Sequence, residues 1–172
     1  MKKGLPILIT ILLGFGSICF ANNFTSPGTG VRYNLSTLVA ASGGDVLFDG
    51  TNYLVQDTIT ISANDTLEIT DNATIKFIAN SFWLIEGVLI INPPTGVLLT
   101  SQDVNNRFLG IKLDNSVGSI IRKVTMEYAN SLQLFDSSPV IDSCIFRNNS
   151  LITKLVNTES LIFVAIKMII RI

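Results

Sequence analysis

The segment Ser119-Ile-Ile-Arg-Lys-Val-Thr-Met-Glu-Tyr128 recurs in altered form as Pro139-Val-Ile-Asp-Ser-Cys-Ile-Phe-Arg-Asn148. Superposed, Ile121 falls on Ile141, Val124 on Cys144 and Met126 on Phe146. Upstream, Gly110-Ile-Lys-Leu113 falls on Ser131-Leu-Gln-Leu134 and Ser116 on Ser137, with one extra residue in the first copy. Apolar residues therefore meet apolar residues at a period of about twenty. That is too short for a strand, a crossover helix and a returning strand. It fits one coil of a solenoid, in which each repeat buries its apolar face only by stacking on the next.

Working outward, short apolar runs alternate with single outward residues at Val46–Phe48, Tyr53–Val55, Ile59–Ile61, Leu67–Ile69, Ile75–Phe77 and Leu89–Ile91. This period-two alternation marks strands. Asn64-Asp65, Asp71-Asn72, Asn80-Ser81, Gly87 and Pro93-Pro-Thr-Gly96 punctuate them. Asn and Asp tolerate left-handed backbone and bond locally, which suits tight corners. Strands this short fit a β-sandwich or a β-helix, and the in-register repeat favours the helix. The fold class expected is all-β: a right-handed parallel β-helix solenoid of about four to five coils with a short N-terminal capping helix.

The expected helix lies within 34–44. Leu35, Leu38 and Val39 share one face, Asn34 or Ser36 can cap the start, and Gly43-Gly44 end it. An open first coil would expose apolar surface and unpaired backbone groups, so a helix laid across that end has a clear role. The organisation expected is a signal peptide over 1–21, a leader and capping helix over 22–50, coils over 51–149 and an irregular tail over 150–172.

Composition agrees with this class. Charged residues make up only 15% of the 172, and Asn, Thr, Ser and Gly fill the polar positions, which disfavours helix interiors. Lys2-Lys3, the apolar run Leu5–Phe20 and Cys19-Phe-Ala21 form the three parts of a secretory signal cleaved after Ala21. A lipoprotein signal at Cys19 and an uncleaved anchor are the rivals. Ile18 is too large for the first, and the run is short for the second. Without Lys2 and Lys3 the net charge is −3, which argues against nucleic acid, whose binding needs a basic footprint. Cys144 is then the only cysteine, so no intrachain disulfide forms. Its register with Val124 marks it as a small buried apolar residue.

After Asn149 the repeat stops and Ile and Lys become frequent. Loss of the reading frame explains so abrupt a break, and an amphipathic capping segment is the alternative.

The arrangement Ser26-Pro-Gly-Thr-Gly-Val31, Leu38-Val-Ala-Ala-Ser-Gly43 and Ile59-Thr-Ile-Ser-Ala-Asn-Asp-Thr-Leu67 resembles the N-terminal part of secreted right-handed parallel β-helix proteins. These belong to the pectate-lyase-like superfamily, and many carry a type IX secretion sorting domain. Phe108-Leu-Gly-Ile-Lys-Leu113 resembles their strand opener. Ser137-Ser-Pro-Val-Ile-Asp-Ser-Cys-Ile-Phe-Arg-Asn-Asn149 resembles their commonest rung. The resemblance covers residues 26–149 and implies many more coils than the four or five expected, so the chain resembles an N-terminal fragment. It carries fold more than function, because the repeated residues make the stack.

The chain has no histidine, which removes Ser-His-Asp and Cys-His nucleophiles and His-ligated zinc. Carboxylates remain. β-Helix hydrolases use clustered Asp, and lyases use Asp-bound calcium with an Arg or Lys base, so Asp114, Asp136 and Arg122, with Asp142, Lys123 and Arg147 nearby, are the residues to place. Asp136 falls on Asn115 rather than Asp114, and corner Asp and Asn are ordinarily turn residues. Phe82-Trp83 and Tyr128 could form a sugar platform, but their apolar neighbours favour the core. Asn23, Asn34, Asn64, Asn72 and Asn148 begin Asn-x-Ser/Thr triplets, expected by chance in a chain this rich in those residues. No catalytic, cofactor or metal residue is assigned. The function expected is a non-enzymatic cell-surface or secreted module, a stalk or adhesin. Its partners would be extracellular polysaccharide or neighbouring β-helix coils. The alternative is the N-terminal part of a polysaccharide lyase or glycoside hydrolase whose site lies on further coils.

Overall fold

The computed structural model describes residues 23–156. The signal peptide expected over 1–21 lies outside these residues, as does the part of the expected tail beyond Val156. The chain winds through three sheets in turn, each coil donating one strand to each in parallel, except that the first coil adds β3, antiparallel to β4, at the edge of one sheet.

The first coil contains β1 (Phe24–Thr25), β2 (Arg32–Tyr33), helix α1 (Leu35–Ala41), β3 (Val46–Phe48) and β4 (Tyr53–Val55). The second contains β5 (Thr58–Ile61), β6 (Thr66–Ile69) and β7 (Ala73–Phe77). The third contains β8 (Phe82–Ile85), β9 (Val88–Ile91) and β10 (Val97–Ser101). The fourth contains β11 (Phe108–Asp114), β12 (Ile120–Arg122) and β13 (Val124–Glu127). The fifth contains β14 (Ala129–Phe135), β15 (Val140–Asp142) and β16 (Ile145–Arg147), and β17 (Leu151–Val156) follows. The sheets run β1-β5-β8-β11-β14-β17, β2-β6-β9-β12-β15 and β3-β4-β7-β10-β13-β16. The result is a parallel β-solenoid of about four turns with one short helix.

The register read from the repeat is the observed one. Ile121 pairs with Ile141, Met126 with Phe146, and Gly110 and Leu113 with Ser131 and Leu134. Inward positions form continuous columns. Ile59, Trp83, Ile111 and Leu132 make one; Ile69, Ile91, Ile121 and Ile141 another; Ile75, Leu99, Met126 and Phe146 a third. All twelve are buried. Fully burying a side chain of this size contributes about 1.5–3 kcal/mol, so the columns dominate the fold's stability.

Helix α1 closes the N-terminal end. Asn34 caps it, accepting from the Thr37 amide at 2.8 Å while Thr37 Oγ1 accepts from the Asn34 amide at 2.9 Å. Leu38 is fully buried and Leu35 nearly so, against β2, β3 and β6. The stack begins earlier than the period-two pattern places it. The leader contributes β1 and β2, two-residue strands too short to show alternation. β8 (Phe-Trp-Leu-Ile) hides its alternation for another reason, because all four residues are apolar. At the other end β17 pairs in parallel with β14, with a register shift between Ser131 and Gln133, so strand structure continues past Asn149.

Candidate functional site

A concavity lies on the outer face of the sheet that holds β7, β10 and β13. Thr74, Leu98 and Thr125 stack there on successive coils. Thr51, Asn72, Gly96 and Arg147 join them around an open groove of about 520 Å³. One wall is the loop 92–96, clamped from two coils. Asn72 Oδ1 accepts from the amides of Thr95 and Gly96 at 2.9 and 3.0 Å. Lys123 Nζ donates to the carbonyls of Pro93 and Pro94 at 3.2 and 2.7 Å. Arg147 lies at one end, its Nε 2.6 Å from Glu127 Oε2, while Glu127 Oε1 accepts from Thr100 at 3.2 Å. The groove offers hydroxyls, an amide and a guanidinium. Those groups suit hydrogen bonding to a polyhydroxylated or acidic chain, and no carboxylate lines it.

The candidate catalytic residues do not converge. Asp114 sits on β11, where Lys112 holds it at 2.6 Å and Asn115 donates to its other oxygen at 3.0 Å. Lys112 also lies 4.3 Å from the Phe135 ring centroid. Asp136 follows Phe135, the partner of Asp114, so it occupies the level of Asn115, as the superposition expects. Both adopt left-handed backbone, φ 52° and 41°, which makes them corner residues. Arg122 is on a different sheet, on β12, and its Nε lies 3.6 Å from Asp142 Oδ2 on the next coil. Among the described residues no three of Asp, Glu, Cys or His gather as a metal would need.

The aromatic candidates divide. Trp83 is fully buried, edge-on to Phe77 at 5.2 Å, and Phe77 stacks on Phe108 at 4.2 Å. Ser101 occupies the Phe77 register one coil on. Its small side chain bonds the carbonyls of Asp103 and Asn106 in the loop that leads to Phe108. Phe82 and Tyr128 are half-buried, and Tyr128 is a corner residue at φ 57°. Cys144 is buried, its thiol 3.4 and 3.3 Å from the carbonyls of Ile121 and Asp142, and burial pushes its pKa up. It is an inert core residue.

One buried carboxylate escaped the sequence reading. Asp65, taken with Asn64 as a turn, is fully buried. Its Oδ2 accepts from the Gly28 amide at 2.7 Å, and its Oδ1 from those of Gly30 and Val31 at 2.9 and 2.8 Å. Burial pushes the carboxyl up, but hydrogen bonds from Ser26 and these amides outweigh it and hold the pKa below the usual range. Asp65 thereby fastens the first coil's loop to the second. The signal was present as Pro27-Gly-Thr-Gly30, a run of amides with few side chains, but only tertiary placement supplies the acceptor.

No helix of the described residues is long and apolar enough to cross a membrane. No family model matches the sequence, and comparison with curated proteins and with solved structures returns no match.

Proposed function

We propose that this chain is a non-enzymatic, exported β-solenoid module acting at the cell surface or outside the cell as a stalk or adhesive element. We place it with the secreted parallel β-helix proteins of the pectate-lyase-like superfamily, of the kind exported by type IX secretion. The observation that carries the reading is where the charges go. Asp114, Arg122, Asp142 and Arg147 are each paired within or between coils, as are Arg32 and Glu68 at 2.8 Å. Polar chemistry on the outer faces serves the stack. The groove beside Arg147 supports contact with an extracellular polysaccharide by hydrogen bonds alone, and the net negative charge argues against nucleic acid.

The test is a binding and turnover comparison on pectin-like and alginate-like polymers. The expected result is retention on at least one insoluble polymer or on whole cells, weakened by Arg147→Ala with Thr125→Ala, and no release of unsaturated or reducing ends. Turnover by the purified chain would overturn it. Recovery of the protein from cytosol rather than from envelope or supernatant would overturn the assigned location.

A further inference from the structure

Two carboxylates hold the leader, and their surroundings are opposite in kind. Asp65 takes the amides of Gly28, Gly30 and Val31. Beside it, Ser26 Oγ accepts from the Ser62 amide at 2.9 Å, and the Ser26 carbonyl accepts from Ser62 Oγ at 2.6 Å. Residues 26–31 are thus fastened to the second coil. β1 has less to hold it: two residues, Phe24 paired with Ile59 and Thr25 with Thr60. The second carboxylate acts here. Asp45, half-buried between α1 and β3, takes a hydrogen bond from the Phe24 backbone amide. Its Oδ2 is shut away from solvent and has no hydrogen-bond partner.

Asp45 is not free to turn away. Its amide donates to the Ser42 carbonyl at 3.2 Å, its carbonyl accepts from the Gln56 amide at 2.7 Å, and Gln56 Nε2 donates to the Gly44 carbonyl at 2.9 Å. These bonds close the base of the β3–β4 hairpin. Asp57, the next residue after Gln56, faces Asp45 from the corner before β5, its own Oδ1 bonded to the Thr58 amide at 2.8 Å. β1, α1, β3, β4 and β5 carry no Asp, Glu, Lys or Arg, and Tyr53 stands at the far, turn end of the hairpin. An ionised Asp45 therefore keeps an anionic oxygen out of water beside a second anion, with no cation to offset either.

We propose that Asp45 is a proton-operated latch on β1. With a proton from solvent on Oδ2 the carboxyl is neutral, the repulsion from Asp57 ends, and the Phe24 amide still has an acceptor. Ionised, the carboxylate must regain water. β1 is what gives way, because the backbone of Asp45 is bonded on both sides whereas β1 is two residues long. The opening stops at Ser26, which Ser62 holds. It bares the edge of β5 and the Phe24 ring, which packs edge-on to Tyr33 at 5.8 Å.

Burial is the largest influence on Asp45 and raises its pKa; the Phe24 bond opposes this and Asp57 adds to it. A raised carboxyl stabilises the closed strand fully below the ordinary Asp value of about 3.9, and that stabilisation is lost as pH rises through the folded value. Asp65, whose pKa is lowered, stays ionised across the same window. Amide hydrogen exchange followed by NMR from pH 4 to pH 7, corrected for the intrinsic pH dependence of exchange, separates the two. Protection of the Phe24 amide should fall several-fold over that range, while Gly28, Gly30 and Val31 stay level. Asp45→Asn keeps the shape without the charge and should leave Phe24 protected at every pH. Asp57→Asn, measured alongside in case the first variant does not fold, should shrink the fall. Level protection of Phe24 in the unaltered chain would overturn the latch, as would an equal fall in either variant. A fall shared by Gly28, Gly30 and Val31 would overturn it too, because the whole leader would then be opening.

Discussion

The first two coils and the last two solve the same stacking problem by different means. Between the fourth and fifth coils, register advances by twenty or twenty-one residues, as from Met126 to Phe146 and from Ile111 to Leu132. Corners there are single left-handed residues at matching levels: Asn115 over Asp136, Lys123 over Ser143, Tyr128 over Asn148. Between the first and second coils Tyr33 pairs with Leu67, thirty-four residues on, because α1 and the β3–β4 hairpin are inserted. Regular corners hold the late coils together, whereas a buried carboxylate pins the early ones. Where corners are minimal the repeat shows in the sequence; where loops intervene, a few specific bonds preserve the register.

The largest effect expected lies between these regions, at Trp83. Trp83→Ala should cost about 3–5 kcal/mol in denaturant unfolding, because the Phe77–Trp83–Phe108 cluster cannot collapse around so large a void. A loss below about 1 kcal/mol would show that the coils stack independently of this cluster. Gly110→Ala follows. Gly110 has φ 119°, and a Cβ there would stand 1.8 Å from the Ser131 carbonyl oxygen on the next coil. The expected cost is about 2–4 kcal/mol, because the backbone itself must shift. A normal melting temperature would mean that β11 and β14 can part without penalty.

Asp65→Asn tests the early coils. The amide keeps the shape but turns a donor toward a backbone N–H, and the expected loss is about 1.5–3 kcal/mol. Acid titration sharpens the same point. Since the folded carboxyl titrates below its unfolded value, its stabilisation is complete above the ordinary Asp pKa of about 3.9 and is lost as pH falls through the lower, folded value. In unfolding measured from pH 6 to pH 2, the acid-dependent loss should shrink in Asp65→Asn. Equal slopes in the two proteins would remove Asp65 as the fastener. The smallest effect is a gain in the late coils. Ser143 is exposed at φ 54°, and Asn tolerates that backbone better, so Ser143→Asn should add about 0.5–1 kcal/mol.

The inward columns were readable in advance because apolar side chains at a fixed period have one arrangement that buries them all. Ile121 over Ile141 and Ser116 over Ser137 needed only superposition, and the Ser116 amide does bond to Ser137 Oγ at 2.9 Å. The capping helix was readable for a similar reason, since Asn34 and the Leu35–Leu38 spacing are local signals. β8 was not, because a strand without polar residues shows no alternation, and neither was β10, whose two polar residues, Thr100 and Ser101, are adjacent rather than alternating and both buried. Nor were the left-handed corners at Lys123, Tyr128 and Ser143, whose residue types do not favour that conformation. Stacking imposes it on them.

At the candidate site the division is sharper. The exclusion of histidine chemistry and the mismatch of Asp136 with Asp114 follow from residue identity and count. Which carboxylate is buried, which arginine meets which aspartate and which threonines share a groove depend on contacts between residues twenty to forty apart. The solenoid's sequence determined its period and its inward faces, since hydrophobic burial acts on patterns that recur along the chain. Its polar surface was decided only in three dimensions, because a hydrogen bond or ion pair requires two particular atoms to arrive within about 3 Å, and a repeat does not specify that distance.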